Sequence, residues 1–259
     1  MWRLTRRADD GAVMVDVPAA AEAVSISKRY GAGASTVTAL ADVSVAFAAG
    51  RFTAVVGPSG SGKSTLLHCL AGLDVPDTGD VYLGGTALRG LSDRELTRLR
   101  RERVGFVFQS YNLLPILTVA ENIALPVRLG GRTPDREWTG RVVDAVGLRD
   151  RLRHRPAQLS GGQQQRTAVA RALAARPAVV FADEPTGNLD SVAGTDLLSF
   201  LRRSVDEFGQ TVVMVTHDPD AAAYADRAVF LRDGRVVDDV DAPTADLVRA
   251  RVRRLGATR

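Results

Sequence analysis

The densest chemistry in the chain lies in nine consecutive residues, Gly57-Pro58-Ser59-Gly60-Ser61-Gly62-Lys63-Ser64-Thr65. They fit the pattern G-x-x-x-x-G-K-[ST] throughout. Such a run suits one task, the wrapping of phosphate groups. Backbone N–H groups can converge on an anion only where side chains do not block them. Gly57, Gly60 and Gly62 remove Cβ atoms and permit positive φ. A helix starting near Lys63 adds unpaired N–H groups and the positive end of its dipole. Lys63 reaches the β and γ phosphates of a nucleotide, and the Ser64 hydroxyl is placed to ligate Mg²⁺.

The flanks supply the context this reading requires. Arg51–Val56 is a short β-rich apolar run, and Ser64–Ala71 reads as a helix. The alternative is a Gly/Ser-rich turn with an incidental lysine. Of 34 basic residues only Lys28 and Lys63 are lysine. A chain so biased toward arginine still places a slender ammonium in the loop.

Four further stretches suit the same chemistry. Ala178–Ala182 is an apolar strand that ends in Asp183-Glu184-Pro185. An aspartate at a strand end opposite a phosphate loop holds Mg²⁺, and Glu184 is then placed to polarise water toward the γ-phosphate; the alternative is an exposed acidic turn. Thr211–Thr216 is a continuous apolar strand of the buried parallel type, with His217 at its end. His217 is either structural or a γ-phosphate contact on the sheet edge where α/β folds place ligands. Val104–Phe108 delivers Gln109 to that edge, as a partner of Mg²⁺ and the attacking water or as an ordinary loop residue. Leu159-Ser160-Gly161-Gly162-Gln163 opens a helix that runs to about Ala175, with Ser160 as its N-cap. The two glycines let something approach a second anion-binding helix start.

The remaining elements must position these groups. Ala23–Tyr30 and Ala39–Phe47 read as strands separated by a Gly-rich loop, and Asp80–Leu83 as another. Tyr30 could stack on an adenine ring or pack at the rim of the core. Ser92/Glu95 and Thr118/Glu121 are capping boxes. From Thr118 to about Pro156 the pattern is helical, broken at Gly130–Pro134. Trp138 and His68 read as packing, and His154, between two arginines, as solvent-exposed. Asp190 precedes a helix over 191–208 stopped by Gly209. Asp233-Gly234 joins strands 227–232 and 235–240 as a hairpin. From Pro243 a last helix presents Val248, Val252 and Leu255 on one face, which docks it on the domain.

Bulk properties narrow the function classes. A chain of 259 residues with 45% hydrophobic and 25% charged content buries a sizeable core. The single cysteine, Cys69, excludes an intrachain disulfide and sits where buried packing is expected. No signal peptide is visible near Arg3, Arg6 and Arg7, and Trp2 earns no function. The longest uncharged stretch, 104–120, contains Gln109, Ser110, Asn112 and Pro115 and is rejected as a membrane span. The expectation is a protein in the cytoplasm or held at a membrane by a partner. The net charge of +4 invites nucleic-acid binding, but 5% aromatic content and no recognition motif argue against it.

Taken together, these residues resemble the nucleotide-binding subunit of ABC transporters. The likeness covers roughly 22–240, with Tyr30, Gly57–Thr65, Gln109, Leu159–Gln163, Val179–Glu184, Asn188–Asp190 and His217 in family order. Ala182–Ser191 looks most like the lipoprotein-release and macrolide-export subgroup. The resemblance implies an α/β fold: a P-loop NTPase core with a mainly parallel sheet, an N-terminal antiparallel β-subdomain and an inserted α-helical subdomain over about 110–175. The expected division is a flexible extension 1–21, an ATPase domain 22–243 and a basic C-terminal helix and tail 244–259. It further implies an ATPase with ATP and Mg²⁺ as cofactors. ATP would lie between Gly57–Thr65 of one chain and Ser160–Gln163 of a second copy paired head to tail. Glu184 would be the general base, His217 would contact the γ-phosphate, Gln109 would meet the attacking water, and Ser64, Gln109 and Asp183 would face the metal. An integral membrane permease would be met by Gln109–Pro115 and the helices after it, where Tyr111, Leu113, Leu114 and Ile116 form apolar surface or core. The expected place is the cytoplasmic face of the membrane, peripheral through the permease, with no nucleic-acid partner. The rival is a soluble ABC-type ATPase acting on ribosomes or nucleic acid.

Overall fold

The computed structural model describes residues 19–257. The elements are β1 (Ala19–Tyr30), β2 (Val37–Ala48), β3 (Phe52–Val56), α1 (Lys63–Leu70), β4 (Thr78–Leu83), β5 (Thr86–Ala87), α2 (Asp93–Arg103), β6 (Val104–Val107), α3 (Val119–Leu129), α4 (Arg136–Ala145), α5 (Gly161–Leu173), β7 (Val179–Asp183), α6 (Ser191–Phe208), β8 (Val212–Thr216), α7 (Pro219–Ala222), β9 (Arg227–Arg232), β10 (Arg235–Asp241) and α8 (Ala245–Ala257).

They build two sheets. The first is antiparallel in the order β2-β1-β4-β5; the second runs β10-β9-β3-β8-β7-β6, parallel except for the β9–β10 hairpin. The expected α/β fold, with an antiparallel N-terminal sheet and a mainly parallel core sheet, is the one found. The central strands of the second sheet are apolar throughout because both faces are covered. Alternation sorts their side chains. Ala54, Val56, Val180, Ala182, Val212 and Met214 join the core beneath α3–α6. Val55, Val179, Phe181, Val213 and Val215 join a second core around α1. There Leu66, Leu67, Cys69 and Leu70 of α1 are buried between the two sheets. Each of the three leucines contributes about 1.5–3 kcal/mol by its burial, which anchors α1 between the sheets.

Local signals act as the sequence suggests. Ser92 and Glu95, and Thr118 and Glu121, form reciprocal capping boxes. Gly209 ends α6 in the left-handed conformation at φ 63°. Burial pushes the Cys69 thiol up to about 12, consistent with packing rather than redox chemistry. Trp138 is buried, donates Nε1–H to the Leu173 carbonyl and meets Phe208 edge-on at 5.2 Å between centroids. Val248 of α8 is buried, with Val252 and Leu255 packed against the same core.

Two expectations need correction, and a third lies partly out of view. The antiparallel sheet begins earlier than expected: Ala19 pairs with Ala48, and Ala21 with Phe47 and Leu83, so 19–21 are strand and not extension. Small buried alanines there give no alternating pattern to read. His154 is half-buried, because its carbonyl accepts the Val119 N–H at 2.8 Å while the Leu152 carbonyl accepts the Ala120 N–H, satisfying two orphan donors at the start of α3. The rest of the expected extension, with Trp2, and the last two residues lie outside the described residues.

Candidate nucleotide site

The site follows from strand order. β6, β7, β8 and β3 lie side by side and run the same way. Neighbouring strands are about 4.8 Å apart, so whatever leaves their C-terminal ends shares one edge. Gln109 follows β6, Asp183 ends β7 with Glu184 next, His217 follows β8, and the Gly57–Thr65 loop follows β3.

The loop closes on its own lysine. Lys63 is buried, and its ammonium donates to the carbonyls of Gly57 at 2.8 Å and Pro58 at 3.0 Å. Burial lowers its pKa below the ordinary lysine value, opposed by the carboxylates of Glu184 and Asp183. An ammonium has three donors; the loop uses two. Gly62 adopts φ 98°, and a Cβ there would meet the Ala39 carbonyl oxygen at 2.2 Å. Gly57, by contrast, does not have positive φ. Its requirement is close approach, since a Cβ would lie 2.1 Å from the Leu231 carbonyl oxygen. Ser61 Oγ is buried with no hydrogen-bond partner inside the loop. An orphan of this kind costs about 1–3 kcal/mol, which a bound anion or water would recover.

Across the edge, the Ser64 hydroxyl donates to Asp183 Oδ1 at 3.0 Å. Glu184 sits at φ 46°, a left-handed conformation uncommon outside glycine. Its N–H is held by the Val215 carbonyl at 3.0 Å, and its carboxylate meets His217 Nδ1 at 2.9 Å. Glu184 is 18% exposed and His217 67%, so the pair lies at the mouth of the edge with the carboxylate inside. The structure therefore joins Lys63, Ser64, Asp183, Glu184 and His217 in one cluster. Hydroxyl, carboxylate and amide oxygens from Ser64, Asp183 and Gln109 suit a small hard cation. Among the described residues no group of three or more His, Cys, Asp or Glu converges. Mg²⁺ needs none, because it retains waters and takes phosphate oxygens from its substrate.

Gln109 is exposed, and its carbonyl accepts from Asn188 Nδ2 at 3.0 Å. The segment after it is tied to α5. Tyr111 and Asn112 both have positive φ, 54° and 50°, and Arg171 of α5 donates to both their carbonyls. Burial lowers the Arg171 pKa. The Tyr111 hydroxyl donates to the Asn188 carbonyl at 3.3 Å. A Cβ on Gly161 would lie 3.1 Å from that hydroxyl oxygen, and one on Gly162 would lie 3.1 Å from Ala193 Cβ. Part of what approaches the start of α5 is therefore the chain itself. Ser160 caps α5 in a reciprocal box with Gln163 and is exposed. No described hydrogen bond links Ser160–Gln163 to Gly57–Thr65, so within one chain the starts of α5 and α1 are not joined in this way. Leu114 and Ile116 are exposed, whereas Tyr111 and Leu113 are half-buried.

Arg171→Met strips both carbonyls of their donor while left-handed backbone strain remains. The expected cost is about 1–3 kcal/mol, seen as a lower urea midpoint with an unchanged slope.

Tyr30 ends β1 with 42% exposure. Its hydroxyl donates to Asp74 Oδ2 at 2.6 Å, and Lys28 Nζ stands 5.2 Å from its ring centroid. Burial works to raise the Asp74 carboxyl, but hydrogen bonds from Lys28, Tyr30 and the Val75 N–H outweigh it and hold the group below the usual carboxylate range. Sequence reasoning missed Asp74, Lys28, Arg171 and Gln165. Gln165 is fully buried and donates to the Pro185 carbonyl at 2.7 Å, next to Glu184. The one available signal was Lys28, the other lysine in an arginine-rich chain.

Comparison with known proteins agrees with this geometry. The family described as ABC transporter matches residues 40–187. The chain is 47% identical to the macrolide export ATP-binding/permease protein MacB of Burkholderia pseudomallei over 87% of its own length, but spans only 35% of that longer protein. It is 45% identical to the lipoprotein-releasing system ATP-binding protein LolD of Bordetella pertussis, over 86% of this chain and 98% of that one. Among solved structures, the dimeric ATP-binding cassette MJ0796 of Methanocaldococcus jannaschii, bound to ADP and Pi in a post-hydrolysis state, superposes with a TM-score of 0.79. It is 39% identical, over 86% of this chain and 98% of that one. The motif order, the sheet edge and these likenesses lead to one conclusion: the chain belongs to the ABC transporter family, as one of its ATP-binding subunits.

Proposed function

We propose that the chain is the ATP-hydrolysing engine of an export or lipoprotein/peptide-release transporter. The observation that carries this is the cluster of Lys63, Ser64, Asp183, Glu184 and His217 on one sheet edge, linked by the Ser64–Asp183 and Glu184–His217 hydrogen bonds. In this reading the Gly57–Thr65 backbone and Lys63 bind the phosphates, and Tyr30 stacks on the base. Glu184 takes a proton from the attacking water, with His217 orienting it and contacting the γ-phosphate. Mg²⁺, held by Ser64, Asp183 and Gln109, would neutralise charge on the phosphate oxygens.

The site is open in a single chain. Two large surface concavities, 860 and 930 Å³, are lined by other residues, among them Trp138, Arg141 and Phe208 in the first and Arg94, Arg98 and Arg132 in the second. A head-to-tail second copy would complete it, placing exposed Ser160 and Gly161 opposite the phosphate loop. The MJ0796 dimer supports that pairing. ATP then closes the pair because it touches both chains in the closed state only, the differential binding a conformational change needs. Hydrolysis removes the shared γ-phosphate and lets the pair open.

Among the described residues no helix is long and apolar enough to cross a membrane. An integral permease would receive the motion through exposed Leu114 and Ile116, and the chain would sit peripherally at the cytoplasmic face. MacB supports this, since its name joins an ATP-binding part to a permease. We assign the expected residues 22–243, together with strand residues 19–21, to the ATPase domain, with the helical insertion over about 110–175.

Tagged Glu184→Gln protein with Mg-ATP, mixed with detergent-solubilised membranes, is expected to retain one integral membrane protein. Recovery of ribosomes or nucleic acid without a membrane protein would replace the transporter reading with the soluble-ATPase one.

A further inference from the structure

We infer that Asp74 is a positioning residue for base recognition: it locks the ring of Tyr30 into a fixed platform and ties that platform to the helix that binds the phosphates. The inference rests on the reading of Tyr30 as the residue that stacks on the nucleotide base.

Tyr30 is poorly restrained by its own strand. It is the last residue of β1, pairs across with Val37, and is followed by a turn containing Gly31 and Gly33 at positive φ. An aromatic ring at such a place has two free side-chain torsions, and ordering them on binding weakens affinity. Two contacts on the ring, backed by a network around Asp74, remove that freedom. The phenol donates to Asp74 Oδ2 at 2.6 Å. Asp74 Oδ1 accepts from Lys28 Nζ at 2.6 Å and from the Val75 N–H at 2.7 Å. Lys28 Nζ lies over the Tyr30 ring at 5.2 Å and also donates to the Val75 carbonyl at 2.7 Å. Lys28 and Tyr30 are two apart on a strand and so project to one side. The ammonium covers one face of the ring, which leaves the other for a base.

Both Asp74 oxygens are thus committed to this arrangement. Asp74 is itself seated on α1: its N–H and that of Leu73 both donate to the His68 carbonyl, at 3.2 and 2.9 Å. The Lys28–Asp74 pair is mostly withdrawn from solvent, at 13% and 27% exposure, where a charged hydrogen bond holds geometry better than on an open surface. The same helix carries Lys63 and Ser64 in its first turn. Base and phosphates are gauged from one rigid body.

The test uses the full chain carrying Glu184→Gln, so that ATP is not turned over. Calorimetric affinity is measured for Mg-ATP and, as a ligand without a base, for magnesium tripolyphosphate. Tyr30→Ala is expected to weaken Mg-ATP binding about tenfold, the scale of one lost stacking contact. Tyr30→Phe, which keeps the ring and the Lys28–Asp74 pair, and Asp74→Asn are each expected to weaken it about three- to fivefold, the scale of one hydrogen bond. The double variant Tyr30→Phe/Asp74→Asn should lose less than the product of the two single losses, because both changes remove the Tyr30–Asp74 bond. Tripolyphosphate affinity should hold in all four proteins. If Tyr30→Ala binds Mg-ATP normally, the base-stacking reading falls and the inference with it. If Tyr30→Ala weakens binding while Tyr30→Phe and Asp74→Asn do not, stacking stands and the positioning role is overturned. An equal loss of ATP and tripolyphosphate affinity in Asp74→Asn would make the residue a general support of the loop, which also overturns the inference.

Discussion

Glu184→Gln is expected to retain Mg-ATP binding while ATP turnover falls about 10²-fold or more, the scale of a lost general base. The substitution isolates the proton-accepting function. Glutamine has nearly the same shape, so the φ 46° backbone and the N–H bond to Val215 are kept. The contact to His217 Nδ1 can be rebuilt by an amide oxygen. What disappears is a carboxylate able to take a proton from water, on the sheet edge that also carries Lys63 and Ser64. Single-turnover hydrolysis beside equilibrium nucleotide binding separates the two effects. A variant that hydrolyses at close to the unsubstituted rate would move the base elsewhere. Because ATP would persist in that variant, it should also accumulate as a dimer on size exclusion with Mg-ATP.

Lys63→Ala is expected to weaken nucleotide affinity about 10- to 100-fold, with titration calorimetry as the measurement. Charge-assisted hydrogen bonds contribute about 1.5–3 kcal/mol each, and each 1.4 kcal/mol is about tenfold in affinity. The damage has two parts. The cation facing the phosphates is lost, and the Gly57 and Pro58 carbonyls lose the ammonium that draws the loop together. Unchanged affinity would contradict the placement of the phosphates against this loop.

Much of the site is legible in the sequence, for a physical reason. Phosphate binding by backbone N–H groups demands glycine and one lysine at fixed spacing on a strand–loop–helix, so Gly57–Thr65 declares itself. The same holds for apolar strands that end abruptly in Asp183-Glu184 and in His217. Such strand ends lie on the sheet edge where α/β folds place their ligands. The capping boxes at Ser92, Thr118 and Ser160 were legible because they use contacts only three residues apart.

Other features depended on contacts between distant parts of the chain. Gly57 reads as a conformational glycine, yet its lack of a Cβ is required by Leu231, 174 residues away in sequence. Arg171 reads as one more arginine on a helix, and only packing shows that it holds the carbonyls of Tyr111 and Asn112. Asp74 sits in a plain turn and becomes informative only when β1 brings Lys28 and Tyr30 to it. Sequence by itself determined the α/β class, the phosphate loop and the acidic, glutamine and histidine strand ends, because each rests on local spacing and on the periodicity of buried strands. Tertiary structure alone decided the strand order β6-β7-β8-β3, which makes neighbours of residues more than a hundred positions apart. Hydrogen-bonded pairing of strands carries no local signature, and the same apolar faces could be buried by several orders.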